Sequence, residues 1–396
     1  MENSAVVQKI MTDFADRTGL ATGSHKPKRY LWTDAFAVCN FLELFHQTGK
    51  QQYRQEALNL VEQVHHVLGR HREDDPRNGW ISGLDEKEGE LHPTIGGLRI
   101  GKRLNERKPD DPHNERLEWE QDGQYFHYLT KWMHALNRVT QVTGNSKYNR
   151  WAMELAKTAH AKFTYTTSIH QQKLMYWKMS IDLSRPLVTS MGQHDALDAL
   201  ITYYQLEATA VNNPEKSTQP DLWLEIADAE TMCSNVSLAT DDPLGIGGLL
   251  SDACILTQLI IKSNLPLQNL LSGILAGAET GLRSFVQTDA LRYPPEYRLA
   301  FRELGLAIGL QAVKKILLMI HQHPENFSRL ESLPSQLASF RQYLHIKEII
   351  ENFWLVAENQ KSPTWNEHLD INSIMLATSL APDGYLIFSN EFPSRS

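Results

Sequence analysis

The sequence predicts an all-α chain of about six helical hairpins that close into a ring. Three observations support this class. Residues 30–68 align without a gap with residues 125–163, and each copy has a Thr-Gly turn between two helical patterns. Strongly apolar helices also alternate with helices that are apolar on one face only. The 396 residues exceed the usual length of one domain, which by itself favours two or three domains. A repeat architecture explains the same length, so we predict one domain over residues 1–396.

The internal repeat defines the first two hairpins. Glycine after a helix adopts the left-handed conformation that other residues resist, and the next helix then starts within a few residues. Such short connections force the two helices to be antiparallel neighbours. The residues that coincide between the copies are Tyr30 with Tyr125, Thr48 with Thr143, Gly49 with Gly144, Tyr53 with Tyr148 and Ala57 with Ala152.

The two helices of each hairpin differ in their surfaces. Apolar residues surround much of the first helix, whereas the second helix carries charges on one face. The first helices are therefore predicted to form an inner ring and the second helices an outer one. The apolar residues of the two first helices include Phe36, Phe41, Leu44, Phe45, Trp132, Leu136 and Val139.

The remaining helices follow the same order with weaker turn signals. The N-terminal segment is predicted to be the outer partner of the last inner helix, which closes the ring. The predicted pairs are residues 193–206 with 222–233, 247–262 with 266–285, 296–321 with 334–358, and 368–380 with 5–18.

Long connections separate several of the pairs. Residues 70–121 and 163–191 are the longest, and ordered loops of this length are usually functional. Gly-punctuated turns and apolar residues in 70–121 suggest a small β-hairpin. Because all the long loops precede inner helices, they are predicted to gather at one end of the ring.

Composition limits the partners. The net charge is -8 and no basic stripe could follow a duplex, so nucleic acid is not expected as a partner. The sequence has no basic segment followed by an apolar one at its start and no run of eighteen apolar residues. We therefore expect a cytoplasmic location, with neither secretion nor membrane insertion.

Cys39, Cys233 and Cys254 lack metal-ligand spacing and are interpreted as reduced thiols. No metal or cofactor is predicted, and the oligomeric state stays open.

The repeats, the Thr-Gly turns and the aromatic-plus-acid starts of the inner helices resemble the six-hairpin glycosidase-like superfamily, whose fold is an (α/α)6 toroid. That superfamily includes unsaturated glucuronyl hydrolases, other glycoside hydrolases and the similarly built N-acylglucosamine 2-epimerases. The resemblance implies a carbohydrate-sized pocket at one end of the toroid. No complete catalytic signature of one family is present. A lanthionine-cyclase toroid is also similar, but its zinc-ligand motifs are absent.

Acidic residues at inner-helix starts are the first catalytic candidates. Cleavage of a glycosidic bond needs one carboxyl group to protonate the leaving oxygen and a second to activate water or attack the sugar. We predict Asp122 and Asp195 as this pair. Aspartate also caps helices, so a structural role competes at every position. The other candidates at helix starts are Asp34, His194, Asp252 and Glu303.

Aromatic residues near the same helix starts could stack on the apolar face of a sugar ring. Packing in the core is the competing interpretation for each of them. The segment 118–131 combines carboxylates, amides, a histidine and four aromatic residues, which packing alone explains less well. The predicted sugar-binding residues are Trp32, Trp80, Trp119, Gln124, Tyr125, Tyr128 and Trp177.

Histidines support a second hypothesis, a sugar epimerase or isomerase, because imidazole exchanges protons near neutral pH. His127 and His194 are the candidate bases, and His92 is a further candidate for binding. The leading hypothesis is a glycoside hydrolase acting on an oligosaccharide. A third is a toroid that binds a glycan or a protein without catalysis.

Overall fold

The computed structural model describes residues 2–21, 26–168, 171–211, 220–234, 236–328, 330 and 332–389. Helices dominate these residues, in agreement with the predicted all-α class. The α-helices are α1 (Glu2–Arg17), α2 (Leu31–Thr48), α3 (Gln51–Leu68), α4 (Glu86–Leu91), α5 (Glu115–Glu120), α6 (Phe126–Thr143), α7 (Lys147–Phe163), α8 (Asp195–Ala210), α9 (Trp223–Cys233), α10 (Pro243–Ser263), α11 (Gln268–Gln287), α12 (Ala300–Gln322), α13 (Leu333–Ser339), α14 (Ile346–Leu355), α15 (Pro363–Glu367), α16 (Leu369–Leu380) and α17 (Asp383–Leu386). The strands are β1 (Gln124–Tyr125), β2 (Thr164–Thr166), β3 (Lys173–Met175), β4 (Lys178–Met179) and β5 (Pro186–Val188).

The chain divides into two compact units, and the first spans Ala15–Val236. Its helices form the three hairpins α2/α3, α6/α7 and α8/α9. Helix α6 packs against both α2 and α8, so the first helices of the three hairpins are neighbours. The hairpins predicted for this part of the sequence are confirmed.

The second unit combines Met1–Phe14 with Ser237–Ser396. Helix α10 packs against α11 and α12, and α12 packs in turn against α14 and α16. The outer helix predicted over 334–358 is interrupted, because a 3-10 turn at Phe340–Tyr343 separates α13 from α14. The proposed pairing of α16 with the N-terminal helix stays a prediction.

The Thr-Gly turns have the predicted geometry. Gly49 and Gly144 adopt φ angles of 69° and 71°, in the left-handed region that favours glycine. The Gly49 amide donates to the Phe45 carbonyl at 2.8 Å, and the Gly144 amide donates to the Thr140 carbonyl at the same distance. Each glycine therefore ends its helix and satisfies one of the last free carbonyls.

The first helices of the hairpins are buried on most sides, as their sequences indicate. Helix α2 has no exposed side chain from Leu31 to Leu44, whereas α3 and α11 bury one face. Two helices, α10 and α12, are long and apolar enough to cross a membrane by length and composition. Their most apolar windows are 78% and 61% buried within the protein. Core helices of this kind pass the same test of length and composition.

Side-chain ion pairs, more than paired strands, hold the long loops in place. Residues 70–121 are all described, and they contain α4, α5 and two isolated bridges where the sequence suggested a hairpin. The guanidinium of Arg77 forms ion pairs with the carboxylates of Asp75, Glu106 and Asp182. Because Asp182 belongs to the connection 163–191, these ion pairs link the two longest loops to each other. Strand pairing occurs further along, in a three-stranded sheet of order β1-β4-β5 and a β2-β3 hairpin.

The cysteines are free thiols, as predicted. Cys39 and Cys254 are buried, and burial raises the pKa of each thiol to about 12. Both thiols are therefore protonated near neutral pH, which makes them poor nucleophiles and poor metal ligands.

Candidate active site at the starts of helices α6 and α8

Asp195 is the first residue of α8 and is almost completely buried, with 4% of the residue exposed. The backbone amide of Gly192 donates to Oδ2 of Asp195 at 3.1 Å. A Cβ atom at position 192 would lie 2.5 Å from both carboxyl oxygens, so only glycine allows the backbone to approach this closely. The segment before α8 therefore holds the carboxyl group in one position.

Burial raises the pKa of Asp195 to about 7, and the nearby charge of Asp198 adds to the effect. The Gly192 hydrogen bond and the Lys131 ammonium oppose this rise without cancelling it. Asp195 can consequently keep its proton close to neutral pH, where an ordinary aspartate is ionised.

A second carboxyl group, that of Asp198, lies three residues further along the same helix. Residues at this spacing share a helix face, with Cβ atoms about 5–6 Å apart. The Lys131 ammonium on α6 lies 3.2 Å from Oδ2 of Asp198 and forms an ion pair with its carboxylate. Two neighbouring carboxyl groups therefore occupy different environments, one desolvated and one paired with a cation.

His127, on the first turn of α6, faces Asp195. Its Nδ1 lies 3.9 Å from Oδ1 of Asp195, and this buried nitrogen has no hydrogen-bond partner among the described residues. Burial lowers the pKa of His127 to about 4, so the imidazole is neutral near pH 7. Between these two pKa values the His127–Asp195 pair holds one exchangeable proton. The gap is slightly longer than a hydrogen bond, as is common before substrate binds.

Flat aromatic faces surround His127. The Tyr125 ring stacks on the imidazole at 5.4 Å and 25°, and the Trp177 ring lies nearly parallel to it at 6.0 Å and 12°. Trp119 contacts the edge of Trp177 at 5.0 Å and is 47% exposed. This group of rings therefore extends from the buried proton pair toward solvent.

A second group of rings lies on the other side of His127. The Tyr128 ring is perpendicular to the imidazole at 4.8 Å, and its hydroxyl shares a hydrogen bond of 2.8 Å with the Tyr30 hydroxyl. Trp32 contacts Tyr128 at 6.4 Å between ring centres. Five of the predicted aromatic residues thus meet around the predicted His127 and Asp195: Trp32, Trp119, Tyr125, Tyr128 and Trp177.

Asp122, the other half of the predicted catalytic pair, lies in a closed environment. Its side chain has no solvent exposure, and Oδ2 accepts from Arg99 at 2.9 Å and from Arg72 at 3.3 Å. Oδ1 accepts from the backbone amides of residues 101, 102 and 123 at 2.9, 3.2 and 3.1 Å. With both oxygens engaged, this carboxylate anchors the long loop.

Two further predicted residues of the first unit also have structural contacts. Asp34 accepts from the Tyr30 amide at 2.9 Å, which caps the start of α2, and it lies 3.5 Å from Arg29. Gln124 accepts from the Leu98 amide at 2.9 Å and donates to a loop carbonyl at 2.7 Å. Both hold the backbone around the aromatic rings.

The remaining predicted residues are Trp80, His92, His194, Asp252 and Glu303. The Trp80 ring packs beneath the Arg70 guanidinium at 4.5 Å, and His92 Nδ1 lies 2.8 Å from Glu154. His194 precedes Asp195 at the start of α8. Asp252 and Glu303 belong to the other unit, where Asp252 is buried in α10 and Glu303 pairs with Arg298.

Sequence reasoning missed Asp198 and Lys131. The signal for Asp198 was present, because Asp-x-x-Asp at the start of an apolar helix places two carboxyl groups on one face. Lys131 carried no comparable signal, since its contact with Asp198 depends on how α6 packs against α8. The described residues contain no group of three or more His, Cys, Asp or Glu side chains that could hold a metal ion.

The raised pKa of Asp195 predicts a pH-dependent stability. The folded chain binds this proton more tightly than the unfolded chain, so the Asp195 contribution to the free energy of unfolding falls between about pH 4 and pH 7. Asp195→Asn should therefore be more stable than the wild type, by on the order of a few kcal/mol at pH 8 and by less at pH 5. Urea denaturation at both pH values measures this, and a difference that does not change with pH contradicts it.

No family profile matches this sequence, and no curated protein matches it. Solved structures do match. An inactive variant of the GH76 α-1,6-mannanase of Salegentibacter sp. HEL1_6, in complex with α-1,6-mannotetrose, has a TM-score of 0.55 at 10% identity over 96% of this chain and 99% of that chain. A GH76 α-mannanase of Bacteroides thetaiotaomicron has a TM-score of 0.53 at 8% identity, over 96% of this chain and 95% of that chain. A D-mannose isomerase has a TM-score of 0.50 at 13% identity, over 96% of each chain.

These similarities show the fold. The chain has the all-α (α/α)6 fold of these enzymes, which confirms the class predicted from the repeat. Both hydrolases and an isomerase share this fold, so the choice between activities depends on the site.

Proposed function

We propose that the protein is a carbohydrate-active enzyme, and specifically a glycoside hydrolase that cleaves an oligosaccharide. One observation carries the proposal: Asp195 and Asp198 are carboxyl groups on the same helix face whose environments differ. One acid that keeps its proton beside a second carboxyl group that is paired with a cation provides the two different roles that glycosidic cleavage requires.

Each carboxyl group has a defined part in this reaction. Asp195 donates its proton to the glycosidic oxygen as the bond between that oxygen and the anomeric carbon breaks. The carboxylate of Asp198 stabilises the positive charge that develops on the sugar. A water molecule then supplies a hydroxyl group to the anomeric carbon and returns a proton to Asp195. Burial of Asp195 and the Gly192 hydrogen bond orient the acid for this transfer.

The aromatic rings supply the binding surface. Pyranose rings have an apolar face that stacks on flat side chains, and the rings of Tyr125 and Trp177 offer such faces beside His127. Trp119 extends this surface into solvent, which suits a chain of sugars better than one sugar. The similar mannanase binds α-1,6-mannotetrose, which supports an oligosaccharide as the substrate class.

We do not assign the substrate specificity of the mannanase to this protein. That enzyme is inactive after substitution of two adjacent aspartates. Adjacent aspartates occur in this chain at residues 74–75, 110–111 and 241–242, and none of these pairs includes Asp195 or Asp198, which are three residues apart. Mannan oligosaccharides are therefore one substrate to test among several.

Sugar isomerisation is the second candidate, and one specific observation favours it. The unpartnered Nδ1 of neutral His127 faces the carboxyl group of Asp195, so the pair can remove and return one proton. A base that takes a proton from the carbon beside a carbonyl, together with an acid that protonates the oxygen, interconverts isomeric sugars. The D-mannose isomerase with the same fold gives this candidate its first substrate to test.

Product analysis tests the proposal. The wild-type protein is incubated with a panel of neutral and acidic di- to tetrasaccharides, including α-1,6-linked mannose oligomers, and with free mannose. A hydrolase yields shorter sugars whose summed mass has increased by one water for each bond cleaved. An isomerase yields a product of unchanged mass, and binding without turnover supports the non-catalytic alternative. Either result contradicts the hydrolase assignment.

A further inference from the structure

Lys102 lies in the long loop beside the candidate active site, and its backbone is fixed. Its amide donates to Oδ1 of Asp122 at 3.2 Å, and its carbonyl accepts from the Arg72 guanidinium at 2.7 Å. The side chain is partly exposed, and its ammonium forms no ion pair or hydrogen bond with any of the described residues. The loop therefore presents an ammonium group that still has capacity for a ligand.

The ammonium adjoins the aromatic rings of the site. Lys102 Nζ lies 5.4 Å from the centre of the Tyr30 ring, a distance typical of a cation–π contact. The Tyr30 ring contacts the Tyr128 ring at 5.6 Å, and Tyr128 contacts His127 at 4.8 Å. Two rings thus separate Lys102 from the proton pair, which places it beside the part of a substrate that is not reacting.

Three other cations of this region, Lys178, Arg99 and Lys131, have carboxylate partners. Lys178 donates to the Glu118 carboxylate and to the carbonyls of Glu118 and Gln121, at 2.7 to 2.9 Å. Arg99 and Lys131 pair with Asp122 and Asp198. Lys102 is therefore the cation of this group that lacks a carboxylate partner within the described residues.

Burial increases the free-energy cost of leaving the Lys102 ammonium without a carboxylate partner. It lowers the pKa of the Lys102 ammonium. The charges of Glu120 and Asp122 oppose this shift without cancelling it, and the charge of Lys178 adds to it. A partly desolvated ammonium without a partner costs free energy, which an incoming anion would recover. Charge-assisted hydrogen bonds from such a group are stronger than those between neutral groups.

We propose that Lys102 binds an anionic substituent of the substrate, a carboxylate as in a uronic acid or a phosphate ester, while the Tyr30 ring contacts the sugar that carries it. The identification of the ligand as a sugar rests on the proposed function. The anion specificity rests on the geometry of Lys102 and can be tested by binding, without any turnover.

The test uses the full-length protein and three probes of similar size: methyl β-glucuronide for the carboxylate, glucose 6-phosphate for the phosphate ester, and methyl β-glucoside as the neutral sugar. Isothermal titration calorimetry measures affinity, and quenching of tryptophan fluorescence reports on the rings of the site. We expect at least one anionic probe to bind about tenfold or more tightly than the neutral probe. The preferred anion distinguishes the two substrate types.

Variants of Lys102 test whether its ammonium causes the preference for an anionic sugar. Lys102→Met should remove the preference for the anion, Lys102→Arg should keep most of it, and Lys87→Met, a matched change of an exposed lysine in α4, should leave it unchanged. Equal binding of all probes by the wild type would overturn the inference and leave the hydrolase proposal intact. An anion preference that survives in Lys102→Met would overturn it too. A preference that is lost there supports the inference, even if no hydrolysis is found.

Discussion

Replacing Asp195 by Asn is expected to lower the rate of glycoside cleavage by about 10²–10⁴-fold. The amide keeps the shape and the burial of the acid but cannot give a proton to the leaving oxygen. Asp198→Asn should cause a loss of similar size, because the developing positive charge then lacks its carboxylate. Initial rates on the best oligosaccharide from the product screen, at pH 6, measure both effects.

A matched substitution separates this effect from a general disturbance. Asp221→Asn exchanges the same groups at an exposed position of the same unit and should leave the rate unchanged. Folding is monitored in parallel, because Asp195→Asn is expected to be at least as stable as the wild type. Turnover that persists in both Asp195→Asn and Asp198→Asn would remove this pair from the mechanism.

The fold was largely predictable because the information was local and repeated. A glycine such as Gly49 or Gly144 ends a helix through its own backbone conformation, and the spacing of apolar residues identifies the buried face without knowledge of the partner. Neither signal depends on contacts between distant residues. The interruption between α13 and α14 and the absence of a hairpin in 70–121 were not predicted. In 70–121, ion pairs between residues distant in sequence, such as Arg77 with Glu106, hold the segment, and such pairs depend on tertiary packing.

The site was predictable only in part. Acidic residues at helix starts could be found from sequence, and Asp122 and Asp195 looked equivalent on that basis. What distinguishes them is their surroundings. Arg99 and Arg72, 23 and 50 residues away in sequence, converge on Asp122, whereas no guanidinium pairs with Asp195 among the described residues. Sequence identifies the candidate groups, and only packing decides which of them can titrate near neutral pH.

Asp122 therefore provides the second strong prediction, on stability. Removing one partner of a buried ion pair leaves the other charge desolvated and unpaired, at a typical cost of about 3–5 kcal/mol. Asp122→Ala should have a cost in this range, because it deprives Arg99 and Arg72 of their shared carboxylate and three loop amides of their acceptor. Urea denaturation at pH 7 measures the free energy of unfolding, and Asp221→Ala is the exposed control.

The same variant separates an anchoring role from a catalytic one. If Asp122 anchors the loop, cleavage by the folded fraction of Asp122→Ala falls mainly through weaker substrate binding, because the loop that carries Lys102 loses its attachment. If Asp122 is the catalytic base predicted from the helix-start pattern, kcat falls by orders of magnitude while the urea midpoint stays near that of Asp221→Ala. A carboxylate that accepts from two guanidinium groups and three amides has no free lone pair directed at a substrate, so we expect the first outcome.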